Sequence, residues 1–165
     1  MSIILDTLVE KHKPQSWDGH INAAGLDIIK RYEGWSSSVY LCPAARYTIG
    51  WGSCWDGKGR PITAKHPDIT EVTGTAYLRR EISHVEKAIG RLIKAELTEN
   101  MFSSLCSWAY NVGTGNLQRS TLRMKLNRGN YEAAADEFPK WRRGGGRILK
   151  GLVLRRASER ELFLQ

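Results

Sequence analysis

The stretch YEGWSSSVYLCPAARYTIGWG, residues 32–52, decides the reading of this chain. It opens on a carboxylate, Glu33, passes a thiol at Cys42 and a hydroxyl at Thr48, and closes on glycines. Just upstream, Ile21, Ala24, Ile28 and Tyr32 recur at helical spacing. Asn22 suits an N-cap and Gly34 a stop, so Glu33 falls on the last turn of a short helix. The partial negative charge at a helix C-terminus disfavours an anion there. Such a site, dried by Tyr32 and Trp35, favours a carboxyl group that keeps its proton, as a general acid must. By itself, though, a Glu at a helix end is most simply a solvated surface residue.

In YTIGWG, alternate side chains point to opposite faces of a strand. Tyr47, Ile49 and Trp51 are expected to pack inward. Thr48, Gly50 and Gly52 share a face with one hydroxyl and little bulk, where a ligand or another backbone can approach closely. Cys42 precedes Pro43 on a loop. A free cysteine is commonly a small buried hydrophobe. It becomes a base or nucleophile when its thiolate is stabilised, and Arg46 is a cation close in sequence. A cysteine protease would also need a histidine, but His12, His20, His66 and His84 stand in no recognisable protease setting.

Outward from this stretch, residues 38–62 read as a small strand-and-turn region. Residues 70–93 read as one long helix of ~35 Å, with Leu78, Ile82, Val85, Ile89 and Leu92 as its apolar stripe. Thr98 caps a helix running through Val112 that is apolar on most sides and therefore central. Ser120 and Gly129 bound another, and NYEAAADEFPKW (130–141) is helical up to Pro139. RRGGGRILKG (142–151) reads as a basic loop and LVLRRASERELFL (152–164) as the last helix. This order predicts an α+β fold in which a small β-sheet lobe and a larger helical lobe, joined by the long helix, enclose a cleft. Residues 1–20, rich in turn formers after Pro14, read as an N-terminal extension. Residues 21–165 read as one domain, with a β-rich lobe at about 35–65 and a helical lobe at about 70–165.

The formal net charge of +8 points to an anionic partner: nucleic acid, membrane surface or cell-wall polymer. Acidic residues are interspersed among the basic ones and no recognition motif is present, so nucleic acid is not expected. The cysteines Cys42, Cys54 and Cys106 are odd in number and widely spaced, which excludes a disulfide scaffold and gives no metal-ligand spacing. The start lacks the apolar core of a signal peptide, and no segment approaches the ~20 apolar residues of a membrane span. A soluble protein of a reducing cytoplasm, without membrane insertion, is expected.

The pattern Glu-x8-Cys-x5-Thr-Ile-Gly-x-Gly resembles that of the phage-type lysozymes, glycoside hydrolase family 24, which carry Asp at the position of Cys42 in most members. Residues 97–141, including NVGTG and STL, resemble the family's central block, and GLVLRRASERELF (151–163) its closing helix. Ser53 departs from the pattern, since many members have His directly after Gly-x-Gly. The resemblance implies a lysozyme-like catalytic domain that hydrolyses the β-1,4 bond between N-acetylmuramic acid and N-acetylglucosamine in peptidoglycan. It implies Glu33 as general acid, with Cys42 and Thr48 holding the attacking water in an inverting reaction. Attack by Cys42 itself, with retention, is the alternative. It further implies that Asn111 lines the cleft with Gly50 and Gly52, and that Arg156, or its neighbour Arg155, orients the acid. No cofactor or metal is implied. The expected setting is a monomeric phage endolysin made in the host cytoplasm and released to the periplasm or cell wall at lysis by a separate holin-type pore. A non-catalytic peptidoglycan-binding module of the same fold is the competing class, against which the presence of Glu33 speaks. In an oxidising compartment Cys42 has two candidate disulfide partners, Cys54 and Cys106.

Overall fold

Several helices begin where a short polar side chain can occupy their free N–H groups. Asn22 accepts from Gly25 N, Thr70 from Thr73 N, Thr98 from Met101 N and Ser120 from Arg123 N. The computed structural model describes residues 18–165, so the expected N-terminal extension lies outside the described residues except for its last three. In chain order the elements are α1 (Ala23–Glu33), β1 (Ser36–Leu41), β2 (Tyr47–Gly50), α2 (Glu71–Leu92), α3 (Glu99–Val112), α4 (Thr114–Arg119) and α5 (Thr121–Leu126). They continue with α6 (Tyr131–Ala135), a 3-10 turn (Phe138–Lys140), β3 (Arg143–Gly144), β4 (Arg147–Ile148) and α7 (Lys150–Phe163).

The core forms around α3, whose residues 102–109 are all buried. Trp108, fully enclosed, meets Phe138 and Trp141 edge-on at 6.2 and 5.1 Å. α1 crosses α3 at Gly25, where a Cβ would lie 2.8 Å from both the Ile21 and the Ser103 side chains. The buried face of α1 is therefore Gly25, Leu26, Ile28 and Ile29, and Ala24, expected on that stripe, is exposed. α2, ~33 Å long from its 22 residues, buries Leu78, Ile82, Val85 and Ile89, and runs from the hairpin region to the helical core. No helix among the described residues is long and apolar enough to cross a membrane.

β1 and β2 form an antiparallel hairpin that pairs Ser36 with Gly50 and Tyr40 with Thr48, with an irregularity between Ser36 and Tyr40. Cys42 starts the turn. Its N–H donates to the Arg46 carbonyl at 3.0 Å, and its carbonyl accepts from Ala45 N at 2.8 Å. The simple alternation expected for YTIGWG does not hold. Tyr47 is 43 % exposed at the hairpin tip, whereas Thr48, Ile49 and Gly50 are all buried. The reason is that β2 is covered on both faces: Ile49 enters the core, and Gly50 is pressed against α2 and the Trp35 ring.

Three further differences have local causes. α4 follows α3 after the single residue Gly113 (φ 92°), so residues 114–119, to which the sequence pattern assigns no element, form a further short helix. α6 ends at Ala135, and Pro139 lies within the first two positions of a separate 3-10 turn that starts at Phe138, where its fixed φ is accommodated. The expected basic loop at 142–151 contains the β3–β4 hairpin, closed by Gly145 and Gly146, both at positive φ as a type I′ turn requires.

Candidate active site

Glu33 closes α1 and is met by a buried cation from α7. Arg155 Nη1 donates to Glu33 Oε1 at 2.7 Å, with the arginine side chain 3 % exposed and the glutamate 27 %. The acid is thus held from behind and open in front. Gly52, at φ 88°, lies beside the other oxygen: a Cβ there would stand 3.6 Å from Glu33 Oε2, so the absent side chain leaves that oxygen approachable.

The expected acid-orienting pair divides its work. Arg155 takes Glu33, while Arg156 turns to Asn111, donating from Nη2 to Oδ1 at 3.0 Å. The first choice of Arg156 for the acid is therefore corrected. Adjacent helical residues point about 100° apart, and only one can face α1. Both guanidiniums converge on Glu159, which is fully buried. Glu159 Oε1 accepts from Arg155 Nε at 3.2 Å, Arg156 Nη2 at 3.1 Å and Ser107 Oγ at 2.7 Å. Its Oε2 lies 2.8 Å from Arg156 Nε. Burial lowers the Arg156 pKa to about 10, opposed by the charge of Glu159. Burial pushes the Glu159 carboxyl up, opposed by both arginines.

On the hairpin, Cys42 is partly buried, and its thiol titrates below the ordinary cysteine value. The largest cause is a backbone hydrogen bond from Arg46, followed by the Thr48 hydroxyl, an Ala44 backbone bond and the Arg46 charge, all against desolvation. Thr48 is 3 % exposed, and its hydroxyl donates to the Arg46 carbonyl at 3.0 Å with Cys54 Sγ 3.7 Å away. It stands between two thiols. Burial, then the charges of Cys42, Cys54 and Glu33, raise the phenol of Tyr40. Gly50 faces α2: a Cβ there would meet Gly74 Cα and Ile69 Cδ1, both at 3.3 Å, so it serves helix–hairpin packing and not the substrate face expected of it. Cys106 lies enclosed in α3, its thiol pushed up by burial, which removes it as a partner for Cys42. Ser53 is fully buried, and among the described residues its Oγ has no hydrogen-bond partner.

A cavity of about 610 Å3 is bounded by Cys54 and Trp55 of the hairpin lobe, Glu81 of α2 and Tyr110 of α3. Glu81 ties its walls together. Its Oε1 accepts from Cys54 N (3.0 Å) and Trp55 N (3.3 Å), and its Oε2 from Tyr110 OH (3.2 Å). Burial raises the Glu81 carboxyl.

Sequence reading did not single out Glu159, Glu81, Tyr40 or Cys54 for the site. Glu159 was within reach, standing four and three residues after Arg155 and Arg156 on one helix. Glu81 was not, because its partners lie 26 to 29 residues away and no local pattern marks them.

A carboxyl group at a helix end, a hairpin that bears a thiol and a hydroxyl, and a cavity bounded by hairpin and helices are the parts of a lysozyme-like glycoside hydrolase. Similarity to known proteins points the same way. The phage lysozyme family model matches residues 30–159. The chain is 37 % identical over 148 residues to the endolysin of Acyrthosiphon pisum secondary endosymbiont phage 1, covering 87 % of this chain and 97 % of that one. It is 39 % identical over 147 residues to the endolysin of Bacillus phage B103, covering 88 % of this chain but 54 % of the longer relative, so it spans about half that protein. A crystal structure of a P22 lysozyme mutant superposes with TM-score 0.80 at 32 % identity, covering 88 % of this chain and 99 % of the other. The chain belongs to the phage lysozyme family.

Proposed function

We propose that residues 21–165 form a muramidase domain that cleaves the β-1,4 bond between N-acetylmuramic acid and N-acetylglucosamine, as an endolysin in host lysis. The observation that carries this reading is a half-open carboxyl group at the end of α1 together with a thiol on the hairpin, each held by named donors. Glu33 is fixed by Arg155 at 2.7 Å, and Cys42 is held by the Arg46 backbone and Thr48 so that its anion is favoured.

Glu33 gives its proton to the glycosidic oxygen as the C1–O bond breaks, and positive charge develops on C1 and the ring oxygen. Water held by Cys42 and Thr48 on the opposite sugar face attacks C1 and passes a proton to the Cys42 thiolate. The anomeric configuration inverts, and solvent then returns the proton to Glu33 and takes the one on Cys42. Asn111, fixed by Arg156, is placed to hydrogen-bond a sugar. Direct attack of the Cys42 sulfur on C1, with retention, is the second reading, and the favoured thiolate is the observation behind it. Entry to the wall is assigned to a separate holin-type pore, and the protein acts as a monomer without cofactor.

The test is digestion of purified walls by wild type, Glu33→Gln, Cys42→Ser and Cys42→Asp, with product masses and NMR of the first-formed anomer. Glu33→Gln is expected to be inactive, Cys42→Ser to lose most activity and Cys42→Asp to keep it. Full activity in Cys42→Ser reduces the thiol to packing. Binding without turnover by the wild type establishes the non-catalytic module instead.

A further inference from the structure

The proposed reaction needs Glu33 and Cys42 at a set distance, with room for a sugar and its water between them. The two stand on different elements. Among the described residues, no hydrogen bond runs from the Glu33 carboxylate to the hairpin whose turn begins at Cys42. Their spacing is therefore set through the rest of the fold, and α3 offers a point common to both. Ser107 and Tyr110 stand three residues apart on that helix and so lie on one side of it. The Ser107 carbonyl accepts from Arg155 Nη2 at 3.3 Å, and Arg155 Nη1 holds Glu33 at 2.7 Å. The Tyr110 hydroxyl donates to Glu81 Oε2 at 3.2 Å.

From Glu81 the path runs on into the hairpin lobe. The other carboxylate oxygen collects Cys54 N at 3.0 Å and Trp55 N at 3.3 Å. The preceding residue, Ser53, is locked to β2 by a pair of backbone hydrogen bonds with Ile49, both 2.9 Å. Cys54 Sγ lies 3.7 Å from Thr48 Oγ1. Thr48 donates to the Arg46 carbonyl at 3.0 Å, and the same carbonyl accepts from Cys42 N at 3.0 Å. Glu81 thus bonds both lobes at once. The packing of Gly50 on Gly74 joins hairpin and α2 about two turns nearer the start of that helix. One contact fixes a point about which the hairpin can still pivot. A second, at Glu81, fixes its angle as well.

We infer that Glu81 is a positioning residue of the hydrolytic step. By joining the hairpin lobe to α3 through Tyr110, it sets the gap between Glu33 and Cys42 into which the sugar and its water must fit. This rests on the muramidase reading. Glu81 touches neither reacting group; it acts through Cys54 and Trp55 on one side and Tyr110 on the other, and its shape matters more than its charge.

The test measures kcat and KM separately on soluble, uncrosslinked peptidoglycan strands, by new reducing ends, at a temperature well below the Tm of every variant. Glu81→Leu removes both halves of the bridge and is expected to lower kcat roughly 10- to 100-fold, the scale of a displacement of about 1 Å, with KM little changed. Tyr110→Phe removes one hydroxyl and is expected to lower kcat roughly two- to tenfold. Glu81→Gln keeps an oxygen for the two backbone donors and an amide for the phenol, so it is expected to restore most of what Glu81→Leu loses. Tyr110→Phe added to Glu81→Leu is expected to cost nothing further, since both act along one path. Where Glu81→Leu does not fold, Tyr110→Phe and Glu81→Gln decide the question. Wild-type kcat in Tyr110→Phe, a loss carried by KM, or a Glu81→Gln protein with less than a tenth of wild-type kcat overturns the inference while hydrolysis stands. Absence of new reducing ends with the wild type overturns the muramidase reading and the inference with it.

Discussion

Replacing Glu159 tests how Glu33 and Asn111 are joined through Arg155 and Arg156. The carboxylate is fully buried and is the shared partner of two arginines that are 2 % and 0 % exposed. Glu159→Leu leaves both guanidiniums enclosed, Arg155 with Glu33 as its remaining carboxylate and Arg156 with none. Removing one partner from a buried ion pair costs about 3–5 kcal/mol, because the stranded charge keeps its desolvation penalty. In a domain of this size that lowers Tm by roughly 6–20 °C. Glu159→Gln keeps the shape and an acceptor for Ser107 Oγ but loses the charge, so its fall should be smaller. Calorimetry gives the stability of both variants. Steady-state kinetics on walls gives the second half of the argument, since Arg155 and Arg156 lose their common anchor and turnover falls with stability. A Glu159→Leu protein within about 1 kcal/mol of wild type refutes the reasoning, because the arginines would then be satisfied without the carboxylate.

Further outcomes follow from other parts of the structure. Cys42 should react with iodoacetamide at lower pH than an ordinary thiol, and Thr48→Val should shift that profile upward, since the hydroxyl is one of the groups favouring the anion; an unmoved profile removes Thr48 from that role. The Asp56 carboxyl, lowered to about 2 chiefly by the backbone hydrogen bond from Arg60, stabilises the 56–60 loop as an anion. That contribution is complete above the unfolded value of about 3.9 and is lost as pH falls through the folded one, so the Lys58 and Arg60 amide signals should shift in strong acid and lose this response in Asp56→Asn. Gly25→Ala should destabilise by about 1–3 kcal/mol in chemical denaturation, because its Cβ would strike Ile21 and Ser103 at 2.8 Å. Asn22→Ala should cost about 1 kcal/mol by the same measurement through loss of the α1 cap.

The parts legible in the sequence were those encoded over short distances. The stripe of α2, the enclosed α3 with its Thr98 cap and the closing α7 are periodic over several turns, so neighbouring residues carry the signal. Glu33 at the end of α1 follows from one cap and one glycine. The rest depended on what lies across the fold. Whether Gly50 faced a ligand or a helix was open from the strand alone, and Gly74 and Trp35 decide it. The choice between Arg155 and Arg156 needs the rotation of α7 about its own axis, which no local pattern sets. The hairpin at 143–148 has strands of two residues, too short for any alternation to register.

The buried Ser53 hydroxyl has one last consequence. A hydroxyl enclosed without a partner gives up its hydration and gains nothing in return, so Ser53→Ala should be neutral or favourable by on the order of 1 kcal/mol. The position follows Gly52 directly, beside the proposed catalytic Glu33. The protein therefore carries latent tolerance beside its own cleft, and one small change there can offset the losses that redesigning the neighbouring walls for another glycan would bring.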